Sequence, residues 1–239
     1  MKIKVIIPNS GMDDITLRSR ESMLLKAISP GAEISVECIE YGPDSIESNY
    51  DEIFAGVPLV NQCIKAEQDG YDAIVVYCFS DLAVDAVREN VSIPVIGPGE
   101  LSIAAAGMIS TRFAVITTVN ENIARTERRL MKNKIAAEKM KSIQALDIPV
   151  AELRNNPDIT RIYLEKVCKG VIEEDRIDTV ILGCLGLAQY GDYIKEKYGV
   201  QVIDPAFLSV AYAEVCARLN IVHSRNAYSR HKIGDKNVL

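Results

Sequence analysis

The chain opens on an apolar run over 3–7, interrupted only by Lys4 and ending at Pro8, which predicts a buried strand. Leu17, Leu24, Leu25 and Ile28 then share one helical face and predict a helix over 14–28. Across 33–40, Ile34, Val36 and Cys38 alternate with Glu33, Ser35 and Glu37, the period of a half-buried strand. A helix over 51–69, an apolar strand over 72–77, a helix over 81–89 and a short strand over 94–96 complete this series. The pattern restarts with an apolar strand over 113–118, followed by helices over 120–141 and 158–174. A strand over 179–182, a helix over 187–197, a strand over 200–203 and a helix over 206–219 end it, with a polar, frayed tail after Ser224. Strands alternating with helices imply an α/β fold whose sheets are mainly parallel and covered on both faces.

The two series can be superposed. Ile6, Ile7 and Pro8, with Asn9 and Ser10, correspond to Val115, Ile116, Thr117 and Thr118; the run Ile74 to Ser80 corresponds to Val180 to Gly186; Pro94 to Pro98 corresponds to Gln201 to Pro205. The step from Cys78 to Pro98 is 20 positions and from Cys184 to Pro205 it is 21. Three matches in the same order predict a duplicated unit. The expected division is two pseudosymmetric three-layer domains, 1–112 plus 206–239 and 113–205, with the last helix crossing back to the first and an active site in the cleft between them.

That duplication singles out two of the six cysteines. In open parallel sheets ligands bind beyond the carboxyl ends of the strands, and Cys78 and Cys184 each follow a central strand. A thiol near a helix start would meet backbone N–H groups and the positive end of the dipole, which lower its pKa. Two such thiols facing one another across a cleft suit proton transfer at a carbon next to a carbonyl. A thiolate removes the proton on one side and a thiol returns one on the other. Backbone N–H groups around Phe79–Ser80 and Leu185–Gly186 are candidate donors to the enolate oxygen. The hydroxyls of Ser10, Ser80, Thr117 and Thr118 and the amide of Asn9 are candidates for the polar edge of the substrate.

Four segments, read together, resemble the aspartate/glutamate/hydantoin racemase superfamily, nearest its hydantoin and allantoin branch. They are 78–88 beginning Cys78-Phe79-Ser80, 93–100 ending Gly99-Glu100, 112–118 ending Thr117-Thr118, and 181–186 containing Gly183-Cys184-Leu185-Gly186. The likeness runs from about residue 3 to residue 219. It implies a cofactor-independent, metal-free racemase or epimerase with paired cysteine acid/bases, and Cys78 and Cys184 fall on the two catalytic positions. It also implies that Asn9, Ser10, Ser80, Thr117, Thr118, Gly99 and Glu100 lie on segments lining the pocket. The chain departs from the hydantoin branch at Ile7, where Asn is usual before Pro8-Asn9, and at Ser80-Asp81-Leu82-Ala83, where Gly-Asp-Pro-Gly is usual. Leu185, Pro98 and Pro205 also differ. These positions bear on the substrate rather than on the proton chemistry. A hydantoin-type cyclic ureide heads the expectations. An aspartate- or glutamate-type amino acid, a decarboxylase or isomerase of the same superfamily, and a binding protein without turnover stand beside it.

Composition narrows the classes further. Over 239 residues, 48% are hydrophobic and 25% charged, ordinary for a globular protein. The net charge of −6 and the lack of Lys/Arg runs argue against nucleic acid as a partner. The apolar run before Pro8 is too short for a signal peptide and no stretch approaches a membrane span. The expectation is therefore a cytoplasmic enzyme of a small carbonyl or carboxylate compound, with no membrane partner, assembling as a homo-oligomer. None of the cysteines forms a CxxC pair and the two histidines, His223 and His231, lie near the end, so no zinc site is visible. Cys38, Cys63, Cys168 and Cys216 share apolar faces and are expected to be core filler. The charges of 121–141 are expected on a solvated helix face, and both histidines in solvent.

Overall fold

The computed structural model describes residues 1–153 and 155–230. The described residues form eight strands, all parallel, in two four-stranded sheets, seven of them at the segments expected from the sequence. The first sheet contains β1 (Lys2–Ile7), β2 (Glu33–Cys38), β3 (Ala73–Val76) and β4 (Val95–Ile96), in the order β2-β1-β3-β4. The second contains β5 (Phe113–Thr117), β6 (Met140–Ala145), β7 (Thr179–Leu182) and β8 (Gln201–Ile203), in the order β6-β5-β7-β8. The two orders are the same when the halves are superposed, as an internal duplication requires. The crossovers are α1 (Asp14–Leu24), α2 (Asn49–Gln68), α3 (Val84–Asn90), α4 (Pro98–Ile109), α5 (Glu121–Leu130), α6 (Lys134–Lys139), α7 (Pro157–Asp175), α8 (Gly191–Tyr198) and α9 (Pro205–Leu219).

Two elements depart from the sequence expectation. The single helix expected over 120–141 is two helices, α5 and α6, followed by β6. Only Ile143 of that strand is fully buried, and its Met, Lys, Gln and Ala residues favour helix as readily as strand. The second is α4, which the periodicity does not reveal. Its run of Ile103, Ala104, Ala105, Ala106 and Gly107 lacks one polar face, the mark of a helix enclosed by protein.

That enclosure organises the molecule. The inner faces of both sheets contribute to one core, from Ile3, Val5 and Val75 to Phe113, Val115 and Ile181, with Ile103 and Ala106 of α4 and Ala206, Val210 and Ala213 of α9. The helix α4 leaves the first sheet and lies against β7 and α6 of the second half, while α9 leaves the second sheet and lies against β1, β3 and β4 of the first. Both start with proline in their first turn, where its missing N–H costs nothing. Their exchange locks the halves together and fixes the distance between the two sets of strand ends. The outer faces form separate cores, with Leu59, Cys63 and Ala66 of α2 on one side and Leu164 and Cys168 of α7 on the other.

Cys63, Cys168 and Cys216 are fully enclosed, whereas Cys38 is only partly buried at the end of β2. The segment after Ser224 is not frayed through its first residues. Arg225 donates to the carbonyls of Arg88 and Glu89, and His223, expected in solvent, bonds the Val91 carbonyl at 2.9 Å. His231 lies outside the described residues. Among the described residues no helix is long and apolar enough to cross a membrane.

Candidate active site

The central strands of both sheets end on one cavity of about 160 Å³. The end of β1 supplies Ile7, Pro8 and Asn9, and the end of β3 supplies Tyr77, Cys78, Phe79 and Ser80. From the second half β5 supplies Thr117 and Thr118, and β7 supplies Gly183, Cys184, Leu185 and Gly186. Parallel strands align their C-terminal ends, so the duplication brings equivalent residues to the same space from two directions. The halves are also tied around it. The Val150 N–H donates to Glu47 at 2.7 Å, and Arg125 and Arg129 of α5 both reach Glu52 of α2, at 3.2 and 2.7 Å.

Each thiol has a local partner. Cys78 Sγ lies 3.3 Å from Ser80 Oγ, and Cys184 Sγ accepts from the Gly186 N–H at 3.3 Å. Sequence reasoning places both near helix starts that lower their pKa; the surroundings act the other way. The next α-helix after Cys78 begins at Val84, and Cys184 is followed by a short 3-10 turn, Leu185–Leu187. Burial therefore dominates, and it pushes the Cys78 thiol above its ordinary value against the hydrogen bonds from Ser80. Burial also raises Cys184, to about 11, against the Gly186 N–H; the charge of Cys78 adds to the rise and that of Arg20 opposes it. Desolvation disfavours the charged form of any thiol. The charge of Cys78 thus reaches Cys184 across the shared cavity.

Not every predicted site residue reaches the cavity. Ser10 instead donates to the Gly42 carbonyl at 2.8 Å. With Asn9, whose amide donates to the Asp44 carbonyl at 2.8 Å, it pins the loop that brings Asp44, Ser45 and Ile46 to the cavity wall. Glu100 points outward and pairs with Arg88. Gly99 lies beneath the Cys78 loop: its N–H and that of Glu100 donate to Asp81, at 2.8 and 2.6 Å, so Asp81 caps α4. Burial and the neighbouring Glu100 charge raise the Asp81 carboxyl to about 7.

The glycine is required there by space. A Cβ on Gly99 would stand 2.1 Å from the Phe79 carbonyl oxygen and 2.7 Å from Asp81 Oδ2. Gly99→Ala must therefore displace the backbone that carries Cys78, Phe79 and Ser80. We expect a stability loss of about 1–3 kcal/mol in thermal denaturation and a fall in kcat of roughly tenfold from the shifted loop. An alanine variant with unchanged melting and turnover would refute this account of Gly99.

The wall also contains charged residues that the sequence pattern does not place there. Arg125 and Arg129, assigned to a solvated face, line the cavity together with Asn122 and Thr126, and Arg125 is only 8% exposed. Arg20 of α1 lines it too, 6% exposed, its guanidinium 5.6 Å over the Tyr77 ring. A signal for Arg20 was present: it falls three positions after Leu17 and four before Leu24, on the buried face of α1.

Known proteins resemble this chain in sequence and in fold. The model of the Asp/Glu/Hydantoin racemase family matches residues 3–213. A hydantoin racemase of Pseudomonas sp. (strain NS671) is 31% identical over 92% of this chain and 87% of its own length. One from Rhizobium meliloti is 31% identical over 98% of this chain and 96% of its own. Among solved structures, allantoin racemase from Klebsiella pneumoniae superposes with a TM-score of 0.90 at 26% identity, covering 97% of this chain and 94% of that one.

Proposed function

The chain belongs to the Asp/Glu/Hydantoin racemase family, and we propose that it is a cofactor-independent racemase of 5-substituted hydantoin-type cyclic ureides, with Cys78 and Cys184 as its two acid/bases. The observation that carries this reading is the opening of both cysteines, from equivalent strand ends of the two halves, into one cavity. In a ring of this kind the reacting carbon lies next to a carbonyl, and the electron pair left when its proton departs moves onto that oxygen. One sulfur, as thiolate, takes the proton and becomes a thiol. The opposite thiol delivers its own proton to the other face and becomes the thiolate. One C–H bond breaks and one forms, and the enzyme is left poised for the mirror-image substrate. The Phe79 and Leu185 N–H groups are the proposed donors to the enolate oxygen, with Asn9, Ser80, Thr117 and Thr118 around the polar edge of the ring.

The test follows each enantiomer of a 5-substituted hydantoin in D₂O with no added metal or cofactor. The circular dichroism signal should decay to zero from either side while one deuterium enters at the ring carbon. Exchange of glutamate or aspartate in place of hydantoins would move the activity to amino acids, and no exchange on any of them would leave a binding protein.

A further inference from the structure

Among the described residues, Arg20 is a buried cation without a partner acid. Every other arginine around the cavity has one: Arg125 and Arg129 share Glu52, and Arg88, behind the Cys78 loop, holds Glu100. No described carboxylate lies within ion-pair distance of Arg20, and its Nε has no hydrogen-bond partner among the described residues. It stacks on Tyr77 instead, with only 6% of its surface accessible. Enclosing a charge without compensation is strongly unfavourable, so such a group persists where something else supplies the opposite charge. The cavity wall as a whole leans the same way. It contains three arginines, two of them sharing the single Glu52, against one aspartate, Asp44, which is exposed. Beyond the single negative charge of the reaction itself, a neutral substrate adds nothing to answer this excess.

We propose that Arg20 is the specificity-determining residue of the cavity and that it pairs with a carboxylate on the substrate's side chain while the reacting carbon sits between Cys78 and Cys184. The proposal rests on the racemase reading above and narrows it to substrates that are anionic at the end away from the reacting carbon. A guanidinium suits this task because its fork binds a carboxylate through two parallel hydrogen bonds. The carboxylate can belong to a cyclic ureide or to a free acidic amino acid, and the test separates the two.

The test compares kcat/KM for 5-(carboxyethyl)hydantoin, for the corresponding carboxamide, which has the same shape without the charge, and for glutamate. Wild-type enzyme should favour the carboxylate over the carboxamide by at least roughly tenfold, as expected for hydrogen bonds to a charged group. Arg20→Met should erase that ratio, with the loss on the carboxylate carried mainly by KM, and Arg20→Lys should keep part of it. Equal rates of wild type on the two hydantoins would overturn the proposal. So would an Arg20→Met variant that slows both by the same factor, because Arg20 would then act only as a counter-charge to the Cys184 thiolate. If Arg20→Met does not fold, the wild-type ratio and its partial loss in Arg20→Lys decide. Should the hydantoins be inert and glutamate exchange in an Arg20-dependent way, the carboxylate site stands and the cyclic ureide reading falls.

Discussion

Cys78→Ser and Cys184→Ser are each expected to lower racemisation by about 10³-fold or more, the upper range for a positioned proton-transfer group, and to leave opposite enantiomers still able to exchange hydrogen. A serine hydroxyl fits either site; beside Cys78 it would occupy the position now 3.3 Å from Ser80 Oγ. It is far too weak an acid to supply a base near neutral pH. The remaining cysteine still faces one side of the reacting carbon. As thiolate it can remove a proton from the enantiomer that presents its C–H to that side. With no donor opposite, the enolate is reprotonated from the face it came from. In D₂O that enantiomer gains deuterium with retained configuration, and its mirror image stays unlabelled. The two variants should show this behaviour with opposite preferences, a crossed pattern that damage to the fold would not produce. Two variants that both racemise, or both label the same enantiomer, would remove the two-sided mechanism.

The parts of this site that the sequence discloses are those carried by duplication and by strand chemistry. Apolar runs ending at Pro8, Tyr77, Thr117 and Leu182 define central strands whose ends converge in any parallel sheet, so Cys78 and Cys184 stand out from their positions in the chain alone. What it does not disclose depends on the exchange of α4 and α9. With α4 unseen, Gly99 and Glu100 are expected on a segment lining the pocket, whereas they form the first turn of a helix held by Asp81. The same exchange presses the halves together and turns part of α5 inward, so Arg125 and Arg129 become cavity wall instead of solvated surface. Charge in a sequence says nothing about which side of a helix a second half will cover. β6 is hidden for a different reason: an edge strand with one deeply buried side chain has little apolar pattern to show, although the counterpart of β2 in the second half demands it.

The raised thiol pKa values, opposite in direction to the sequence expectation, have the clearest kinetic consequence. Lowered values would make kcat/KM level off or fall above neutrality, since one thiolate would already be formed and the second thiol would ionise next. Burial places both thiols above the ordinary value of 9.0, Cys184 at about 11. Near pH 7 the free enzyme is then almost entirely dithiol, while the competent form carries one proton fewer. kcat/KM, which reports the free enzyme, should rise close to tenfold from pH 7 to 8 and go on rising towards pH 9, once uncatalysed exchange at each pH is subtracted. It should fall again only where the second thiol ionises as well. The sign is fixed by charge: desolvation penalises the thiolate, so a higher pH is needed to form it. The two enantiomers use the two alternative monothiolates, Cys78 ionised or Cys184 ionised, which hold the same number of protons. Their populations therefore change with pH in a constant ratio, and because mirror-image substrates have equal free energy, their kcat/KM profiles must superpose. A level profile between pH 7 and 9 would return the thiols to the lowered range. Profiles of different shape for the two enantiomers would break the equivalence that a racemisation equilibrium imposes.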